Sequence, residues 1–157
     1  MTPSEYQNPI LCADYSDPDI VRVGDDFFMV SSSFNHVPAL PILHSTDLVN
    51  WTIINHVMDE LPLPGYDRYQ PGKGVWAPSI RWHDGKLWVC FSTPDEGIFI
   101  CHTEDPWGEW SAPHCLREAR GWIDPCPFWD DDGQAWLVHA FAHSRSGIKH
   151  KLQLFAM

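Results

Sequence analysis

The sequence predicts an all-β chain assembled from small antiparallel sheets, and three observations carry that prediction. One layout occurs three times: a proline, an apolar residue, a tight turn a few positions later, then an aromatic-rich strand. The copies run from Asp17-Pro18-Asp19-Ile20 to Gly24-Asp25, from Ala77-Pro78-Ser79-Ile80 to Asp84-Gly85, and from Asp124-Pro125-Cys126-Pro127-Phe128 to Asp132-Gly133. The prolines Pro18, Pro78 and Pro125 stand 60 and 47 residues apart, room for about four short strands each. Helical periodicity is nowhere sustained, and 14 prolines and 10 glycines would interrupt it repeatedly. Repeats of this length made of short strands are the signature of β-propeller blades.

Taken in order, the first repeat opens on two carboxylates that flank a proline, Asp17-Pro18-Asp19. A proline biases the residue before it towards extended backbone, so a stiff, extended Asp17 is expected. Taken alone that motif reads first as a turn and only second as a catalytic or metal-binding carboxylate at the start of a strand; its recurrence is what brings the second reading forward. A two-residue turn at Gly24-Asp25 leads into a strand over 27–30. A third strand holds Ile42-Leu43-His44-Ser45, and an outer strand begins at Trp51 after a turn carrying Asp47. Residues 58–74, with Pro62, Pro64, Gly65, Pro71 and Gly72, form a long loop whose Tyr66 and Tyr69 can reach a pocket.

In the second repeat Asp84-Gly85 is the strongest short-range hairpin signal a sequence offers, and it leads into a strand over 87–91. Phe99-Ile100-Cys101-His102 is the third strand, and an outer strand is expected from Trp110. In the third repeat a two-residue turn at Asp132-Gly133 leads to a strand over 135–140. A polar stretch over 143–151 and a last strand over 152–155 follow. The blades are thus expected at about 16–60, 75–118 and 122–157, all within one partial propeller domain over 1–157. Two blades and part of a third do not close a ring. The chain therefore reads as the N-terminal portion of a larger protein, with self-association expected through its open faces.

Composition narrows the partners. A formal net charge of −11 argues against nucleic acid or an anionic membrane surface, both of which need a basic face. No apolar run is long enough to span a bilayer, and the start Met1-Thr2-Pro3-Ser4-Glu5 lacks the features of a signal peptide, so the chain reads as cytoplasmic. Cys12, Cys90, Cys101, Cys115 and Cys126 are odd in number and include no CxxC pair, which argues against a disulfide framework or a zinc knuckle. Cys90 and Cys101 lie in apolar runs and are expected to act as small buried hydrophobes. Nine tryptophans can fill a β core or offer flat platforms for sugar rings.

The ordered motifs Asn8-Pro9-Ile10-Leu11, Ser16-Asp17-Pro18-Asp19, Leu43-His44-Ser45-Thr46-Asp47-Leu48-Val49-Asn50-Trp51, Gly74-Val75-Trp76-Ala77-Pro78-Ser79-Ile80 and Ile123-Asp124-Pro125 resemble glycoside hydrolase family 43. That family holds β-xylosidases, α-L-arabinofuranosidases and arabinanases. The resemblance implies a five-bladed β-propeller of which this chain supplies two to three N-terminal blades. It also implies an oligosaccharide substrate containing xylose or arabinose, and an inverting mechanism with one carboxylate as base and one carboxylic acid on the leaving group.

By that resemblance Asp17 is the general base, and Asp124 tunes the pKa of the acid and orients it. Asp17 is preferred to Asp19 because it directly precedes Pro18, as Asp124 precedes Pro125; the second repeat has Ala77 there. Phe34 and Trp76 match positions that wall the sugar pocket, with blade packing an equal reading of Trp76. The family's acid is a glutamate of the fourth blade. Glu96, Glu104, Glu109 and Glu118 all lie in or just after the second, so the chain alone is expected to be inactive. The alternative is a non-catalytic sugar-binding or scaffold segment.

The nine histidines, His36, His44, His56, His83, His102, His114, His139, His143 and His150, fall in no HExxH or HxH pattern, which argues against zinc. The resemblance makes His139 a candidate neighbour of a central calcium, with a satisfied core histidine as the other reading. No cofactor is required on this reading. Asp130-Asp131-Asp132-Gly133 lacks EF-hand spacing and reads as a hairpin turn.

Overall fold

A computed structural model describes residues 5–35 and 37–157. The N-terminal reading of residues 1–4 and any role of His36 lie outside the described residues. The chain forms three antiparallel sheets in sequence order. The first orders β1 (Asp19–Val23), β2 (Asp26–Val30), β3 (Ala39–Ser45) and β4 (Thr52–Met58). The second orders β5 (Trp76–His83), β6 (Lys86–Thr93), β7 (Gly97–Thr103) and β8 (His114–Glu118). The third orders β9 (Trp122–Trp129), β10 (Ala135–Phe141) and β11 (Gln153–Ala156), with the single-turn helix α1 (His143–Ser146) between the last two strands. Each is a meander of neighbours, as propeller blades are.

The local chemistry explains the meanders. Asp84 and Gly85 both have positive φ, 50° and 74°, the pair a two-residue primed turn needs, so β5 and β6 pair down to His83 and Lys86. The turn after β3 is organised by Asp47, whose Oδ1 accepts the amides of Val49 (2.9 Å) and Asn50 (2.7 Å). Those bonds, from Asn50 foremost, hold its carboxyl far below the usual range. Asp105 repeats the device after β7, where its Oδ1 accepts the Trp107 amide at 3.0 Å.

Two expectations are corrected. The outer strand of the second sheet starts at His114, not Trp110, because residues 104–113 loop out and lend the carbonyls of Pro106 and Gly108 to Asn55 of β4. The third hairpin closes over residues 130–134 rather than a two-residue turn. Asp130 Oδ1 accepts the amides of Asp132 (3.2 Å) and Gln134 (2.9 Å), and its Oδ2 accepts the indole N–H of Trp136 (2.8 Å).

The middle sheet is buried on both faces. Leu87, Val89 and Phe91 of β6 join a core shared with Phe28, Val30, Leu40 and Ile42 of the first sheet. Cys90 of β6 turns the other way, towards Leu137 of β10, with Ile98, Trp88, Trp122 and Phe155 around it. This is why 87–91 reads as an unbroken apolar run instead of an alternating one. Burial pushes the Cys101 thiol up to about 12 and raises that of Cys90 well above its ordinary value, as befits small core side chains.

Polar groups at the inner edge fasten the sheets together. Asp19 Oδ2 accepts from Arg81 Nη1 at 2.5 Å and from the Ile80 amide at 2.9 Å. Arg81 Nη2 in turn donates to Cys126 Sγ of β9 at 2.8 Å. At the position in the second sheet that corresponds to Asp19, Ser79 Oγ donates to the Pro125 carbonyl of the third at 2.6 Å. The residue after each of these two motif prolines thus clasps the next sheet.

Candidate active site

The three pre-proline positions share an unexpected backbone. Asp17, Ala77 and Asp124 have φ of 50°, 33° and 54°, in the left-handed region, where an extended Asp17 was expected. Ala77 adopts the same bend without a carboxylate, so the bend belongs to the start of each inner strand and not to the side chain. Left-handed backbone costs a non-glycine residue about 1–2 kcal/mol, and Asp tolerates it better than Ala. The fold therefore imposes one conformation three times, and the first and third copies carry a carboxylate there.

Asp17 is solvent-exposed, and its Oδ2 accepts a hydrogen bond from Ser32 Oγ at 2.7 Å. The same hydroxyl accepts the Ala77 amide at 2.8 Å, while the Ser32 amide donates to the Ser16 carbonyl at 3.0 Å. Asp17 is thereby fixed to the start of the second sheet. Asp124 feels Asp17: burial first, and then the Asp17 charge, raise its carboxyl above the ordinary value. The structure thus brings the two predicted carboxylates within electrostatic reach of each other. Asp19 is committed elsewhere, to Arg81 and the Ile80 amide.

Phe34 and Trp76 also meet, edge to face, with centroids 5.8 Å apart and planes at 78°. The two isolated bridge bonds between Ser33 and Val75, at 2.9 and 3.0 Å, place the chain segments that carry them side by side. The Trp76 indole N–H is buried with no acceptor among the described residues.

Two contributors were not foreseen. Ser32 left a faint signal, three serines in a row where an apolar strand ends. Arg145 left none: its guanidinium sits 5.3 Å from the Trp76 ring centroid, with Nε 3.7 Å from Asp95, which Lys73 and Arg120 also approach. Helix α1 delivers it, in what reads as merely a polar stretch.

His139 is fully buried and stacks on Trp122 at 4.0 Å. Its Nδ1 lies 2.8 Å from the Ala140 carbonyl oxygen, so Nδ1 carries the proton and Nε2 is left as a bare lone pair with no partner among the described residues. Burial lowers its pKa and keeps it neutral. One imidazole nitrogen is a poor start for calcium, which takes six to eight oxygen ligands. No group of three metal-ligating side chains exists among the described residues, so they do not by themselves fit that ion.

The raised pKa of Asp124 has a consequence for stability. The folded state prefers the protonated carboxyl, so this contribution is present below the unfolded value of about 3.9 and is lost as pH rises through the folded value. Asp124→Asn is expected to raise Tm at pH 7 by about 1–2 °C, a small effect because the carboxyl is only partly withdrawn from water. The gain should vanish below about pH 4. A thermal scan at both pH values checks it; an equal gain at low pH would refute the cause.

Comparison with known proteins shows the family and the fold. The family model of glycosyl hydrolases family 43 matches residues 6–157. A xylosidase/arabinosidase of Butyrivibrio fibrisolvens is 42% identical over 137 residues, 83% of this chain and 26% of that protein. A non-reducing-end α-L-arabinofuranosidase of Bacteroides ovatus is 38% identical over 127 residues, 76% of this chain and 23% of that protein. Among solved structures, the xylan β-1,4-xylosidase of Bacillus halodurans superposes with a TM-score of 0.82 at 31% identity, covering 97% of this chain and 31% of that one. The chain spans about a quarter of the length of the curated relatives it matches.

Proposed function

Because the chain belongs to glycosyl hydrolases family 43, we propose that it carries the base half of an inverting glycosidase site for xylose- or arabinose-containing oligosaccharides. The observation behind this reading is the pair of pre-proline carboxylates, Asp17 and Asp124, coupled by charge beside an edge-to-face aromatic pair. Asp17 draws a proton from the water that attacks the anomeric carbon, and the Ser32 hydroxyl keeps its carboxylate aimed. Asp124 keeps the acid protonated and oriented, since a nearby carboxylate raises a neighbour's pKa. Phe34 and Trp76 wall the sugar, where an aromatic ring meets its C–H groups. On this reading the acid is a glutamate of a later blade, and none of Glu96, Glu104, Glu109 and Glu118 takes its place. The names of the relatives carry both sugars, and both belong to the proposal.

The test is hydrolysis of p-nitrophenyl β-D-xylopyranoside and α-L-arabinofuranoside. One sample is the chain alone; the other is a chimera in which residues 6–157 replace the matching segment of the Bacillus halodurans xylosidase. The chimera should turn over at least one substrate and the chain alone neither. A folded chimera that binds xylose and hydrolyses nothing would leave only the sugar-binding reading.

Self-association belongs to the same proposal. Ile20, Leu48 and Ile53 on the first sheet side and Phe128, Leu152 and Leu154 on the third are exposed apolar side chains. Such surface favours a partner face. Light scattering on the chain is expected to give a dimer or larger; a monodisperse monomer at about 100 μM would refute it.

A further inference from the structure

A second concavity lies beside the aromatic wall and contains neither Asp17 nor Asp124. It is a cleft of about 350 Å³, floored by Ala39, Leu61 and Val75 and rimmed by Asn35, Asp67, Arg68, Tyr69 and Gln70. That volume falls in the range of small-ligand sites, about 300–1,000 Å³. Its roof is the long segment between β4 and β5, and the roof is pinned. The Tyr66 hydroxyl donates to Glu96 Oε2 at 2.8 Å, the Lys73 amide to the Gln70 carbonyl at 3.1 Å, and the Gly72 amide to Asn35 Oδ1 at 2.8 Å. Burial, and next the Glu96 bond, keep the Tyr66 phenol protonated as a donor.

The rim is prepared for a neutral, hydroxyl-rich guest. Asn35 is held through Oδ1, which leaves its Nδ2 donors; Gln70 is held through Nε2 on the Gly65 carbonyl, which leaves its Oε1 acceptor. Asp67 and Arg68 form no ion pair among the described residues and offset each other, and Lys73, the third charge lining the cleft, is paired with Asp95 at 3.8 Å, so no ionic ligand is favoured. Tyr69 is 69% exposed, an aromatic face in water at the lip of a polar cleft. An oriented donor, an oriented acceptor, an uncommitted ion of each sign and an open ring together match a sugar. Lone apolar exposure would match a protein.

We propose that this cleft is a saccharide subsite for a more distant sugar of the same oligosaccharide, with Tyr69 as its stacking face. The reading rests on the function proposed above and adds to it. Asn35 follows Phe34, and Val75 precedes Trp76, so the subsite and the aromatic wall share one backbone bridge. A chain of several sugars is held at both places, and a monosaccharide at the wall alone.

The test uses amide NMR of the 157-residue chain with xylose, xylotetraose and arabinotetraose. A tetraose is expected to shift amides 65–73 and the Asn35 side-chain amide, while xylose shifts only signals around Phe34 and Trp76. Tyr69→Ala should weaken tetraose binding about tenfold and spare xylose, and Tyr69→Phe should bind like the parent. Shifts confined to Phe34 and Trp76 with every sugar, indifferent to Tyr69→Ala, would overturn the subsite and leave the proposed function standing. Shifts at 65–73 alone would uphold the cleft and sink the aromatic wall as a sugar site. No shift anywhere would overturn both.

Discussion

Asp17→Asn in the chimera is expected to lower kcat by about 10²–10⁴-fold, the usual contribution of a positioned acid or base. The amide keeps the shape and can still accept from Ser32, so KM and Tm should change little. What is lost is the capacity to take a proton from water at the moment of attack. Asp19→Asn is the informative contrast. Its carboxylate is occupied by Arg81 at 2.5 Å and by the Ile80 amide, so its loss should appear as stability. A cost of about 1–2 kcal/mol is expected; the pair is about a third exposed, which keeps it below that of a fully buried one. Initial rates and thermal scans on both variants separate the roles. If Asp17→Asn keeps more than a tenth of kcat while Asp19→Asn abolishes it, the base has been misassigned.

Gly74→Ala is expected to be the most damaging small change at the site, costing about 3 kcal/mol, or about 6–12 °C in Tm for a chain of this size. A Cβ there would lie 2.5 Å from the Ser33 carbonyl oxygen and 2.7 Å from that of Phe34, and φ is 125°. Neither contact is with a flexible side chain, so the backbone itself must move. The segment that must yield is the Ser33–Val75 bridge, which sets Phe34 against Trp76. Sugar binding should therefore fall with stability. Gly24→Ala is the control: its Cβ would meet nothing within 4 Å, and its φ of 63° predicts only the ordinary penalty of about 1 kcal/mol. Equal Tm values for the two variants would refute the argument from the bridge.

The residues by themselves determined the all-β class, the three-fold recurrence and the hairpins, because side-chain alternation and turn chemistry act over a few neighbours. Asp84-Gly85 fixes its own turn wherever it stands. The unbroken run 87–91 marked a strand, yet only the packing of sheets on both sides explains why it does not alternate. Asp17 and Asp124 were legible as candidates because proline flanks both. Their left-handed backbone was not: proline favours the opposite, yet the same bend recurs at Asp17, Ala77 and Asp124. The width of the third hairpin hung on Asp130 turning inward to collect two amides and an indole. Ser32 between Asp17 and the Ala77 amide, Arg145 over Trp76 and the cleft under residues 61–73 each join residues far apart in the chain. Contacts of that kind have no period and no spacing to read, and only the tertiary structure decides them.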